Sequence, residues 1–211
     1  MRLAALVVAA LAGAAHADTP AEMIKGLPGC DPSRAHCIGL QIHIAPDVTT
    51  ADWLATQLAG ANRHFAPLGV GFQVIGADAL PASAVHVESR GDRDELSIDR
   101  LGGKVVHVFL VGVLDDVDEP GAIAYGVTWH RHNDQRKYVI VSAQALERTL
   151  AHELGHFFGL PHSSYAISIM NKSDRKEPPP AQRTFADEEV AAMKPELARL
   201  LKAKVIADLP R

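Results

Sequence analysis

The sequence predicts an α+β domain, on three observations. Five short stretches carry the two-residue alternation or the continuous apolar run of strands, and three longer ones carry apolar residues at helical spacing. In chain order they fall as strand, helix, strand, strand, strand, strand, helix, helix, a mixture that belongs to the α+β class. The 211 residues are 47% hydrophobic, which suffices for one domain with a proper core, and no internal repeat is visible.

Met1 to Ala17 reads as a secretory signal peptide outside the fold. Arg2 gives the positive start, Leu3 to Leu11 the apolar run, and Ala15-His16-Ala17 the small-residue cleavage pattern, with cleavage expected after Ala17. No later stretch reaches the roughly 18 apolar residues of a membrane span. The mature chain is therefore expected in the periplasm or outside the cell, as a monomer. A formal net charge of −4 and the lack of a basic block argue against nucleic acid as a partner. Residues 18–37 form an N-terminal segment that holds both cysteines, Cys30 and Cys37. An even pair in an oxidising compartment predicts a disulfide closing a small loop.

Residues 38–211 carry the domain. Ile38 to Ala45 alternates, with Ile38, Leu40, Ile42 and Ile44 on one side and Gln41 and His43 on the other, the period of a strand. Thr49 or Thr50 caps a helix with Trp53, Leu54, Leu58, Ala61 and Phe65 on its apolar face, ended by Pro67 and Gly69. Val70 to Ile75 is a second strand, and residues 76–81 turn away from it. The mixed charges of residues 88–100 read as a solvated loop; Asp92, Asp94 and Glu95 there make calcium conceivable but not indicated, since no calcium-loop spacing is present. Lys104 to Leu114 is nearly all apolar and predicts a strand buried on both faces, with His107 a satisfied core histidine. Ala122 to Trp129 and Lys137 to Val141, joined by a polar connection, make a hairpin. His130, His132 and Asp134 at its tip read as solvated in preference to a second metal site. Thr184 to Asp187 has the form of a capping box opening a last helix with Val190, Met193, Leu197, Leu200 and Leu201, which Pro195 should kink or split.

The chemistry concentrates in the helix expected over Ala143 to Phe158. Leu146, Leu150, Leu154 and Phe157 form its core stripe, and His152 lies about 200° around the helix from that stripe. His152 and His156, four residues apart, project from one face and can present two imidazoles to one metal ion. Glu153 leans toward the ion's open position, where a carboxylate can take a proton from water and pass it to a leaving amine. Gly159 can adopt the left-handed conformation that reverses the chain, bringing His162 back as a third ligand. Three neutral imidazoles suit one catalytic Zn2+ with a fourth position left for water.

These residues, with Ser168-Ile169-Met170-Asn171 downstream as a candidate methionine turn, resemble the signature of the metzincin clan of zinc peptidases. His162-Ser163-Ser164 and the placing of Met170 eight positions after His162 look most like the matrixin branch, although Asn171-Lys172 stands where matrixins carry Tyr-Pro. The resemblance implies a twisted mixed five-stranded sheet with a site helix and a C-terminal helix, and a cleft between upper and lower subdomains. It also implies zinc held by His152, His156 and His162, Glu153 as general base and then acid, and Met170 as a hydrophobic floor. Substrate would be a protein or peptide, added antiparallel to an edge strand, for which Ala122, Ile123, Ala124 and Tyr125 are the candidates. Pro28-Gly29-Cys30-Asp31 can be compared with the cysteine switch of matrixin propeptides, but Cys37 nearby competes for the thiol. The implied activity is that of an exported zinc endopeptidase. The alternatives are a catalytically silent zinc-binding interaction protein, against which Glu153 argues, and an exopeptidase, which needs a charged group at the cleft that the sequence does not identify.

Overall fold

A computed structural model describes residues 19–172 and 176–210, so the leader expected over Met1 to Ala17 lies outside the described residues. The elements in order are α1 (Pro20–Met23), β1 (His36–Ile44), α2 (Ala51–Phe65), β2 (Val70–Ala79), β3 (His86–Val87), α3 (Arg90–Leu96), β4 (Val106–Val111), β5 (Val113–Leu114), β6 (Gly126–His130), β7 (Lys137–Ser142), α4 (Thr149–Phe157) and α5 (Asp187–Lys202). The expected mixed five-stranded sheet is present, in the order β2-β1-β4-β7-β6. β1 runs parallel to β2 and β4, and β4 parallel to β7, because each of these pairs is joined by a long connection; the short β6–β7 hairpin makes that pair antiparallel and leaves β6 at the edge.

Each face of the sheet has its own core. Ile38, Leu40 and Ile42 of β1 pack with Leu54, Leu58 and Phe65 of α2, Leu150 and Leu154 of α4, and Met193 and Leu197 of α5. On the other face Phe109, Tyr138 and Ile140 meet Leu80, Val87 and Leu96. All six residues of β4 are buried, as their apolar run requires. His107 is indeed a satisfied core histidine: it lies 3.0 Å from His43 and donates to the Gly102 carbonyl at 2.7 Å, while the other nitrogen of His43 meets Asp78 at 2.8 Å. Among the described residues no helix is long and apolar enough to cross a membrane.

Several boundaries differ from the sequence expectation, each for a local reason. β1 starts at His36, inside the segment set apart as N-terminal, and β2 runs on to Ala79 past a bulge at Ile75, opposite Leu40 and Gln41, that resets its register. Within residues 88–100, expected as a loop, Arg90–Leu96 form α3, since Ser89 accepts from the Asp92 N–H while the Asp92 carboxylate accepts from the Ser89 N–H, a box that starts the helix. That use of Asp92 speaks against a calcium site. The strand expected over Lys104 to Leu114 breaks at Gly112, where a Cβ would stand 2.7 Å from the Val85 carbonyl oxygen. α5 starts after Ala186, whose N–H is capped by Glu189 at 2.8 Å, and Thr184 is tied instead to Ile167 and Ile169. The helix continues through Pro195, which lies on its exposed face, so the carbonyl left without a donor at Ala191 can be hydrated. Pro180 opens a 3-10 turn, Pro180–Gln182.

The site helix starts at Thr149, not Ala143. Gln57 of α2 is inserted where the helix would otherwise continue: its amide oxygen accepts from the Leu150 N–H at 3.1 Å and its amide nitrogen donates to the Leu146 carbonyl at 2.9 Å. Leu146 is left outside the core, 38% exposed. α2 lies so close that a Cβ on Gly60 would be 2.9 Å from the Glu147 carbonyl oxygen. Alanine normally stabilises a helix interior over glycine by about 0.5–1 kcal/mol. Here Gly60→Ala is expected to destabilise by about 1–3 kcal/mol, read as a lower urea midpoint at unchanged slope.

Cys30 and Cys37 form a disulfide with their Cα atoms 5.8 Å apart, so neither sulfur is a thiol that could act as a switch. Thiol counting on the denatured, unreduced protein should find none free at these positions. Two free thiols, with activity rising on alkylation, would restore the switch reading.

Candidate active site

Leu150, Leu154 and Phe157 bury one face of α4 and so aim His152 and His156 from the opposite side. Gly159 follows at φ 92°, and the Leu160 N–H returns to the Gly155 carbonyl at 3.0 Å, the reversed helix end that only a residue without Cβ adopts easily. The C-terminus of α4 is also held by Lys137 of β7, which donates to the Phe157 carbonyl at 2.8 Å and to Glu196 of α5 at 3.0 Å. The reversal brings His162 to the other two, and one ligand atom from each of the three lies within 4.8 Å of the others. Among the described residues this is the one group of three such donors close enough to share an ion. The hairpin tip does not assemble one. There Asp134 is bridged by Arg131 and Arg136, which hold its carboxyl far below the usual range.

The hydrogen bonds of the ring nitrogens test whether a metal fits. His152 Nδ1 lies 2.7 Å from the Ile169 carbonyl oxygen and His156 Nδ1 2.6 Å from that of Leu160. A carbonyl only accepts, so both protons sit on Nδ1 and both Nε2 atoms carry lone pairs. Those two atoms are 3.1 Å apart on rings inclined at 83°. Facing lone pairs repel unless a cation lies between them, and tetrahedral zinc with Zn–N of ~2.0–2.1 Å spaces its nitrogens at roughly 3.3 Å. Burial pushes His152 down to about 4 and lowers His156 and His162, so all three stay in the neutral, ligating form. The donor set fits zinc.

Glu153 is 4% exposed, and its Oε1 stands 4.0 Å from His152 Nε2. Burial raises its carboxyl to about 8. A dication at the histidines would draw it back toward the ionised form, which suits a group that must take and release a proton. Beneath the histidines Met170 is fully buried, and its sulfur would be 2.6 Å from a Cβ at Gly155. Ser168 fixes this turn by accepting from the Met170 N–H at 2.8 Å and donating to Glu189 of α5 at 2.7 Å.

The three histidines and Glu153 open into a cleft of about 660 Å³, whose wall is formed by residues 123–128 and His130. Of the substrate-contact candidates, Ile123, Ala124 and Tyr125 line it and Ala122 does not. They do not belong to the edge strand, which starts only at Gly126. Asp115 bridges Ile123, and the Ala124 N–H is already bonded to the Leu114 carbonyl at 2.8 Å. The ladder closes at the Ser142 N–H to Tyr125 carbonyl bond and at the Arg131 N–H to Arg136 carbonyl bond. Its alternation therefore turns the main-chain groups of Gly126, Thr128 and His130 outward, away from β7. Sequence reasoning missed Gly126, Thr128, Leu146, Arg148 and Lys172, all on the cleft wall. Only Arg148 and Lys172 carried a signal, as charges flanking the motif.

The matrixin family model matches residues 72–193, more than half of the chain. Among solved structures the fold is similar to metalloproteinase-II from Bacteroides fragilis, at 15% identity and a TM-score of 0.55, over 82% of this chain and 57% of that one. It is also similar to archaemetzincin from Methanopyrus kandleri, at 19% identity and a TM-score of 0.54, over 79% of this chain and 98% of that one. No curated protein sequence matches. The matched stretch contains α4, its three histidines, Glu153 and the Met170 turn, and the chain belongs to the matrixin family of zinc metallopeptidases.

Proposed function

We propose that this chain is an exported zinc endopeptidase acting on protein or peptide substrates. The observation that carries the reading is the Glu153 carboxyl, buried 4.0 Å from His152 Nε2 at the base of a cleft walled by an open sheet edge. Zinc, when bound by His152, His156 and His162, would supply a Lewis acid that polarises the scissile carbonyl and acidifies water. Glu153 takes the proton of the attacking water and hands it to the leaving amine. His152 and His156 are held in their ligating tautomers by the Ile169 and Leu160 carbonyls, and Met170 supports them from below. Export rests on the leader pattern of Met1 to Ala17, which points to a secreted or periplasmic protein.

An extended substrate would add antiparallel to β6 through the outward main-chain groups of Gly126, Thr128 and His130. N-methylating alternate residues of a cleaved peptide, one at a time, is expected to raise KM at the positions that donate to β6 and to leave the intervening positions unchanged. Equal tolerance at every position would show that the edge does not bind substrate.

The reading as a whole is tested by digesting an unbiased peptide library and reading product termini by mass spectrometry. Internal cleavage without regard to distance from either end is the expected result. Cuts at a fixed distance from one terminus would favour an exopeptidase using Arg148 or Lys172 on the cleft wall, and no cleavage by zinc-loaded protein would favour a binding role.

A further inference from the structure

β6 crosses α4 at close range at Gly126. A Cβ at Gly126 would lie 2.8 Å from Glu153 Cγ and 2.9 Å from Thr149 Cγ2, so glycine lets the strand reach the helix at this point. Two residues on, and so on the same face of the strand, Thr128 Oγ1 stands 2.5 Å from the main-chain oxygen of Glu153 and 3.2 Å from its carboxyl Oε2. Among the described residues no other side chain hydrogen-bonds this carboxyl.

A hydroxyl carries one proton and two lone pairs. Through these two contacts the hydroxyl ties the Glu153 carboxyl to the helix main chain and to β6, which fixes the direction in which the carboxyl faces the cleft. A methyl in place of the hydroxyl makes neither contact.

We propose that Thr128 is the positioning residue of Glu153, its hydroxyl holding the carboxyl in one orientation, so that the strand expected to receive substrate also aims the general base. This rests on Glu153 as the proton carrier assigned above. It differs from a merely structural role in predicting that loss of the hydroxyl, and not of bulk, impairs turnover.

The test compares Thr128→Val, which keeps the shape, with Thr128→Ser, which keeps the hydroxyl, in zinc-loaded protein labelled with 13C at the glutamate carboxyls. Thr128→Val should lower kcat about ten- to a hundredfold with KM changed less than about threefold and zinc content unchanged. Thr128→Ser should restore most of kcat. The carboxyl resonance of Glu153, identified by its absence from Glu153→Gln, should move in Thr128→Val and lie near its wild-type position in Thr128→Ser. If Thr128→Val does not fold, Thr128→Ala carries the same comparison. Wild-type kcat in the variants lacking the hydroxyl, or an unmoved resonance, would overturn the proposal while leaving the peptidase reading intact. A resonance that moves in a protein that cleaves no peptide would uphold the positioning contact and overturn the peptidase reading.

Discussion

Replacing Glu153 by glutamine is expected to lower kcat/KM for peptide cleavage by about 10³-fold or more, while the protein still binds about one zinc per chain. The carboxyl stands outside the group of candidate ligand atoms that the three histidines form, and its Oε2 is hydrogen-bonded to Thr128. Glutamine keeps the shape and can still meet the Thr128 hydroxyl, but it cannot take a proton from water. Chelation should abolish activity by the other route, removing the ion and leaving Glu153 in place. Full activity in Glu153→Gln, measured with zinc content on the same sample, would contradict the assigned role.

The largest effect on stability is expected from Phe65→Ala. Phe65 is fully buried at the end of α2, with ring centroids 5.0 Å from Phe72 of β2, 5.5 Å from Phe158 after the site helix and 5.0 Å from Phe185 before α5. It therefore joins the sheet to both segments that frame the metal site. Removing such a ring costs about 3–5 kcal/mol, a large share of the about 5–15 kcal/mol by which domains are stable. Urea unfolding should show the midpoint falling accordingly, and zinc affinity should fall with it because Phe158 anchors the turn that delivers His162. A loss below about 1 kcal/mol would mean that the cluster collapses around the gap.

The part of the site legible in the sequence is the part whose chemistry requires distinctive residues at fixed spacing. His152, Glu153, His156, Gly159 and His162 declare themselves because helix geometry and the left-handed turn link spacing to position. The central strands were equally legible, since β1 alternates and β4 is apolar apart from His107. What was not legible depends on contacts between distant segments. The start of α4 is decided by the amide of Gln57 on another helix, and no local feature of residues 143–148 announces it. Charge concealed α3, although Ser89 and Asp92 stood at capping-box spacing. Thr128 is an ordinary residue for a strand and a lone Gly126 does not say what approaches it; their bearing on Glu153 exists only because β6 crosses α4. The apolar stretch over Ala122 to Tyr125 read as strand because its composition is that of one, whereas the main chain of residues 122–124 is taken up by residues 114–116 and only the Tyr125 carbonyl reaches the main sheet.

The central claim is that His152, His156 and His162 together hold one catalytic zinc that Glu153 serves without binding. Its most direct test is a zinc titration of the metal-free protein and of single variants, followed by calorimetry. Wild type and Glu153→Gln should each bind one zinc per chain with similar affinity, and His152→Ala, His156→Ala and His162→Ala should each bind it at least about 10²-fold more weakly, since loss of a ligand should cost no less than loss of its outer hydrogen-bond partner. Wild-type affinity in any of the three histidine variants, or loss of binding in Glu153→Gln, would contradict it.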